Sequence, residues 1–324
     1  MNYRNLGRTG LKVSELCLGT MQFGWTADED TSNQILSTAF NAGINFIDTA
    51  DVYTFWAEGN PGGVAERIIG KWMQHQGIPR HEVIIATKVR GKMGDGPNDE
   101  GLSRAHIIQG VDDSLKRLRT DYIDLYQTHW FDENTPIEET LSTLDDLIRH
   151  GKVRYIGCSN YPAWRLMESL WVSEKKNLSR YDSLQPHYSL VHREEFEREL
   201  ADVCKKFKIG VIPYSPLAGG FLTGKYREGQ EPHSARASGV SRYFNEKNWR
   251  LIDNLESIGK DKGGHSISQV SLSWMLSKPT ITSPIIGPRT LDQLEDNLGS
   301  VGLKLTPDET QILDKTSEWQ TEKG

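Results

Sequence analysis

Four ionisable side chains stand where short apolar runs end. Asp48 lies near the end of NFIDTA (45–50), Tyr53 follows five residues later in the loop, Lys88 closes VIIATK (83–88) and His129 closes IDLYQTH (123–129). In a barrel of parallel strands the C-terminal strand ends converge on one mouth, so these four would share a pocket. A carboxylate, a phenol, an ammonium and an imidazole in contact form a connected acid–base unit that can handle protons. Each residue alone has an ordinary explanation: a loop cap, a packed ring, a solvated lysine, a histidine bonded in the wall. Their joint position favours chemistry.

The elements that must position them repeat along the chain. Eight β-rich runs occur: the three above, LCLGTM (16–21), VRYIGCSN (153–160), DSLQPHY (182–188), GVIPYSP (210–216) and SPIIGP (283–288). Most are continuously apolar, as in parallel strands buried on both faces. Helical stretches separate them, from Thr31 to Gly43, from Ser103 through DDSLKRLR, from Pro136 to Gly151 and from Glu194 to Gly210. Strand–helix alternation of this kind predicts an α/β fold, a (β/α)8 TIM barrel with an N-terminal β-hairpin, in one domain spanning 1–324. The hairpin is YRNLGRTGLKVS, turning around Gly7–Gly10 and closing the bottom of the barrel. A Gly-rich polar span from Leu217 to about Asn245 interrupts the rhythm before a helical run from Glu246 to Lys262. A loop of that length within a compact domain is usually functional. The last helix, TPDETQILDKTSEW (306–319), opens with Thr306 and Glu309 at capping-box spacing and should pack outside the barrel.

Composition narrows the partner. The 324 residues carry 38 Lys plus Arg against 44 Asp plus Glu, a net charge of −6, with no long run of either sign. That removes the electrostatic case for nucleic acid or an anionic membrane and leaves a small molecule. No apolar stretch reaches the ~20 residues of a membrane span, and MNYRNLGRTG has no signal-peptide character, so a cytoplasmic protein is expected. Cys17, Cys158 and Cys204 form no CxxC pair and should be reduced core residues. The nine histidines show no HExxH, so no metal is expected.

Seven stretches in order, GRTGLKVSELCLGTM, GINFIDTADVY, IIATK, YIDLYQTH, GKVRYIGCSNY, IPYSPLAGGFLTGK and IIGPRTLDQLEDNL, resemble the aldo-keto reductase family, and the likeness runs from Gly7 to the end of the chain. The resemblance implies an NADP-dependent oxidoreductase that reduces aldehydes or ketones to alcohols by hydride transfer, with Asp48, Tyr53, Lys88 and His129 as its catalytic tetrad. Tyr53 would be the general acid/base. A phenol titrates near 10, and a cation about 4 Å away is worth on the order of 4 kcal/mol at an effective dielectric near 20, so Lys88 is expected to make the phenolate accessible. Asp48 would keep Lys88 charged, and neutral His129 would orient the carbonyl.

No GxGxxG follows any strand, so the phosphates of NADPH must be held elsewhere. By resemblance, Ser159, Asn160 and Gln185 hold the carboxamide and Tyr214 stacks on the nicotinamide, with Ser215, Pro216 and Leu217 also cofactor-binding. The resemblance also counts Gly19, Thr20, Met21 and Asp48 among the cofactor-binding residues. Gly219, Gly220, Leu222, Gly224 and Lys225 would follow the pyrophosphate. Arg289 would meet the 2′-phosphate, Gln293 the same ribose, and Asp296 and Asn297 the adenine, with Gly287 also counted as cofactor-binding. Pro288, with no N–H, departs from the Lys–Ser pair that some branches carry beside this arginine, which leaves dual NAD use open.

Trp25, Phe55, Trp56, Trp130 and Tyr161 are expected around the mouth as substrate contacts with Tyr53 and His129, and the insert WAEGNPGGVAE (56–66) should shape it. Two rivals follow from the same residues. One is a cofactor-binding regulatory subunit resembling channel β subunits, disfavoured because the hairpin begins almost at Met1 where such subunits carry an extension. The other is Schiff-base chemistry at Lys88, disfavoured because Asp48 would hold that amine charged.

Overall fold

The computed structural model describes residues 1–229 and 237–319. β1 (Tyr3–Asn5) and β2 (Lys12–Ser14) form an antiparallel hairpin. Eight parallel strands follow: β3 (Cys17–Gly19), β4 (Phe46–Asp48), β5 (Ile84–Val89), β6 (Ile123–Thr128), β7 (Val153–Ser159), β8 (Ser183–Gln185), β9 (Gly210–Val211) and β10 (Ile285–Ile286). They lie in the order β10-β3-β4-β5-β6-β7-β8-β9. The two ends of this sheet meet. Thr282 N and Ser283 N donate to Val211 O, and Ile285 N donates to Pro213 O at 2.9 Å, which closes the barrel.

Between successive strands run α1 (Glu29–Asn41), α2 (Val64–His75), α3 (Arg104–Leu118), α4 (Ile137–Arg149), α5 (Ala163–Lys176) and α6 (Ala201–Phe207). The connection from β9 to β10 holds α7 (Ala237–Val240), α8 (Glu246–Asp261) and α9 (Ile267–Leu276); α10 (Leu291–Leu298) and α11 (Pro307–Thr316) follow β10. The predicted capping box at Thr306–Glu309 opens α11, which is tied to α9 by Trp274 Nε1 donating to Asp314 Oδ1.

Several boundaries move from their expected positions. α1 begins two residues before Thr31, because Asp28 Oδ1 accepts from Thr31 N and caps it. The helix before β9 ends on Lys208 in the left-handed conformation (φ 53), not on Gly210, and opens with a π-helical turn over Phe196–Leu200. Gly210 is needed elsewhere: a Cβ there would stand 2.7 Å from Gly7 N, where the hairpin seats against the bottom of the barrel. The insert at 56–66 is shorter than expected, since α2 starts at Val64 behind left-handed Gly63.

The barrel interior follows from the two-residue period of strands. Cys17, Phe46, Ile84, Ala86, Leu125, Ile212 and Ile285 form an inner apolar cluster, plugged from below by Leu6 and Val13 of the hairpin. The alternate residues, such as Ile47, Ile85, Val89 and Ile156, pack outward under the helices in the larger core.

Candidate functional site

Continuing the inner-face alternation past the apolar layer delivers polar groups to the mouth. Phe46 leads to Asp48, Ile84 and Ala86 to Lys88, and Leu125 to Gln127 and His129. Neighbouring strands are registered so that Asp48 pairs with Ala86 and Lys88 with Gln127, which sets Asp48 one inner-face step below Lys88 and within reach of its ammonium.

Tyr53 reaches them from the loop after β4. That loop is pinned to β5 by Thr49 N and Asp51 N, which donate to Ala86 O and Lys88 O. A turn then brings Tyr53 N onto Ala50 O, and the chain leaves through Thr54 at φ 71. Lys88 is fully buried, and its ammonium spends all three donors, on Asp48 Oδ1 (2.6 Å), Tyr53 OH (2.8 Å) and Thr49 O (2.8 Å). The second oxygen of Asp48 accepts from Gln185 Nε2 (2.8 Å) and Gln127 Nε2 (3.2 Å). His129 lies with its ring 5.9 Å from that of Tyr53, stacked on Trp130 at 3.9 Å, and its buried Nδ1 has no partner.

Burial dominates the electrostatics. It pushes the Tyr53 phenol up to about 12, with Lys88 opposing the rise and Asp48 adding to it. The expected lowering of this phenol is therefore corrected: desolvation of the phenolate outweighs the attraction of one ammonium that Asp48 has already half neutralised. Burial also works against the Lys88 charge, but Asp48 and Tyr53 more than compensate and hold it above the ordinary lysine range. Burial, then Lys88 and Arg90, push His129 well below its usual value, so it is neutral.

Above these residues a cleft of about 800 Å³ runs across the barrel mouth to the start of α10. It is lined at one end by Tyr53, Phe55, Trp56, His129 and Trp130, and at the other by Gly287, Arg289, Gln293, Asp296 and Asn297. Gly19, Thr20, Met21, Asp48, Ser159, Asn160, Gln185 and Tyr214 line the middle, with Ser215, Pro216, Leu217, Gly219, Gly220 and Lys225 along one side. Lys88 lies beneath the floor and meets the cleft through Tyr53 and Asp48, both of which line it.

Tyr214 rests one ring face on His187 at 5.1 Å, and its hydroxyl donates to Asn160 Oδ1. Asn160, left-handed at φ 58, donates to His129 O and Ser159 Oγ. The loop after Tyr214 bends through left-handed Ser215, Ala218, Gly219 and Gly220. A Cβ on Gly220 would stand 2.8 Å from Lys225 Nζ, so the absent side chain leaves room for that cation under the backbone.

Besides Lys88, four of the sequence-expected residues do not line the cleft. Tyr161 is buried, with its hydroxyl within 3.1 Å of Thr128 Oγ1 and 3.3 Å of Tyr181 OH, beside a separate cavity. Trp25 stands edge-on behind Trp56 at 5.7 Å. Leu222 is buried in the core, and Gly224 packs on α9, where a Cβ would meet Ile267 Cδ1 at 2.3 Å. Conversely, Gln22, Val52, Arg90, Lys92, Thr223, Ser266, Ser268 and Asp292 line the cleft without having been expected. The Ser266–Gln269 capping box at the start of α9 was a readable signal for that helix end.

A closed parallel barrel with a buried Asp–Lys–Tyr cluster under a long cleft at its C-terminal strand ends has the layout of a barrel enzyme's active site. The chain belongs to the aldo/keto reductase family, whose model matches residues 15–318. It is 39% identical over 318 residues to an uncharacterized oxidoreductase, YrpG, of Bacillus subtilis, covering 97% of this chain and 95% of that one. Versiconal hemiacetal acetate reductase of Aspergillus parasiticus is 35% identical, with 97% and 96% covered. A probable voltage-gated potassium channel subunit beta of Oryza sativa is 36% identical, with 97% and 95% covered. Among the described residues there is no cluster able to hold a metal and no helix long and apolar enough to cross a membrane.

Proposed function

We propose that the chain is an NADPH-dependent reductase of aldehydes or ketones in which Tyr53 gives the proton. The observation that carries this reading is the contact of one ammonium, Lys88 Nζ, with both Asp48 Oδ1 and Tyr53 OH directly beneath the cleft. The cleft fits a nicotinamide dinucleotide on three features of its wall: a tyrosine ring backed on one face by His187, a run of left-handed backbone beside Lys225, and the guanidinium of Arg289 at the start of α10, which has no ion pair among the described residues. NADPH bound there supplies the hydride for the carbonyl carbon.

The chain's own residues supply the rest. Asp48 holds Lys88 charged, and Lys88 directs a hydrogen bond onto the Tyr53 oxygen. A carbonyl oxygen between Tyr53 and neutral His129 accepts the phenolic proton as negative charge grows on it. Phe55, Trp56 and Trp130 give that end an apolar wall against which the body of a substrate can pack. Arg289 favours the 2′-phosphate of NADPH by charge, although Asp292 lines the same end of the cleft and works against it.

Two channel-subunit relatives support a second reading, a cofactor-binding regulatory protein. Length does not separate the two, because the match covers 95% of the rice subunit. Turnover does. NADPH should quench the tryptophan fluorescence of the protein, and NADPH should then be consumed with an aromatic aldehyde; binding without consumption across a carbonyl panel would favour the regulatory reading.

A further inference from the structure

One cation in the cleft has no role in the chemistry above. Arg90 follows β5 two residues after Lys88 and lines the cleft at the Tyr53–His129 end. Among the described residues its guanidinium makes no hydrogen bond and no ion pair, and its Nε is buried without a partner. Arginines that hold this fold together behave differently. Arg80 binds Asp124 and two carbonyls, Arg117 binds Glu66 and Ser114, and Arg193 binds Glu197 and Ser317. Lys92, the other cation at this end, is already paired with Asp95 at 2.9 Å.

The backbone holds Arg90 where it is at a conformational cost. Its φ is 124, a region that side-chain-bearing residues rarely adopt. Gly101 N donates to Arg90 O, while the preceding carbonyl, Val89 O, accepts from His129 N at 2.9 Å, so Arg90 and His129 are set by adjacent links. Gly91 must be glycine, because a Cβ would stand 2.6 Å from Val52 Cβ. Asp132 feels the Arg90 charge, yet its oxygens are committed to Leu102 N, Thr135 Oγ1 and Asn134 N. A half-buried guanidinium with an unfilled donor set and no protein carboxylate is suited to an anion brought by a ligand.

We propose that Arg90 is a specificity-determining residue that binds a carboxylate carried by the substrate, so that the preferred substrates are carbonyl compounds with an anionic group remote from the reacting carbon. The proposal rests on the reductase reading for the word substrate, but not for the anion site itself. Phe55, Trp56 and Trp130 would flank the body of the molecule while Tyr53 and His129 take its carbonyl end.

The test compares 4-carboxybenzaldehyde with its neutral near-isostere, 4-formylbenzamide, and separately the affinities of the corresponding benzyl alcohols for the protein by tryptophan fluorescence. The wild-type chain should favour the carboxylate by about tenfold or more in kcat/KM and in affinity. Arg90→Met should remove that preference by weakening the carboxylate alone, Arg90→Lys should restore part of it, and both should bind NADPH as the wild type does. Equal treatment of acid and amide by the wild type, or a preference that survives Arg90→Met, overturns the assignment. Anion-selective binding that depends on Arg90 without turnover of either aldehyde would support the anion site and defeat the reductase reading, so the two fail separately.

Discussion

Two buried ionic clusters share strand β5 and point in opposite directions. Lys88, on the inner face, joins Asp48 and Tyr53 under the cleft. Thr87, on the outer face, donates to Glu66 of α2, whose other oxygen accepts from Arg117 of α3 at 2.6 Å. Both clusters contain a carboxylate removed from water and a cation that compensates it. They differ in what completes them. In the outer cluster the carboxylate of Glu66 is fully enclosed and both its oxygens are bonded to protein, with Gly63 so close to Arg117 that a Cβ would stand 2.4 Å from its Cδ. The inner one ends on a phenol that faces open space. Burial of ions therefore does not mark a site here; an incomplete boundary does.

The comparison breaks most sharply at Tyr53. Tyr53→Phe deletes only the hydroxyl, so turnover should fall by about 10²–10⁴-fold, while the fluorescence-measured affinity for NADPH changes little. Retained turnover would remove the phenol from the chemistry. Next in size is the outer cluster. Arg117→Met leaves Glu66 buried and unpaired, which should cost about 3–5 kcal/mol in urea unfolding. Turnover of the folded protein should stay within about threefold; a loss as deep as that of Tyr53→Phe would mean that the outer cluster also sets the loop bearing Tyr53.

Smaller effects sharpen the picture of the cleft. Arg289→Ala should raise KM for NADPH by about tenfold or more and leave KM for NADH nearly unchanged, since only the former carries the extra phosphate. Equal effects on both would assign Arg289 to the pyrophosphate or adenine instead. The smallest expected effect is on pH dependence. With the phenol pushed up to about 12 and His129 neutral, the proton donor is intact well above neutrality. Carbonyl reduction should thus show no inflection from these two groups between about pH 6 and 9, whereas alcohol oxidation, which needs the phenolate, should rise with pH. A bell centred near neutrality in steady-state kinetics would contradict these shifts.

Much of the barrel was legible because strand periodicity is local. Once VIIATK and IDLYQTH are read as buried strands, the two-residue repeat already puts Lys88 and His129 on one face, and it would have put Gln127 there too had it been applied to every position. Loops resist that logic. Leu222 and Gly224 sit in the same glycine-rich stretch as Gly220, yet one enters the core and one packs on α9, because left-handed residues turn the chain between them. Tyr161 lies two residues past β7, but its hydroxyl is claimed by Thr128 and Tyr181 and does not line the cleft.

The sequence by itself determined the order of elements, the barrel and the residue types at the strand ends, because apolar alternation and helix caps depend on near neighbours in the chain. Only the tertiary structure decided three matters. It brought Tyr53 from a loop onto Lys88, raised rather than lowered its phenol through burial, and left Arg90 beside His129 as a cation with no ion pair among the described residues. Each depends on which distant groups exclude water or fail to supply a partner, and no local pattern encodes that.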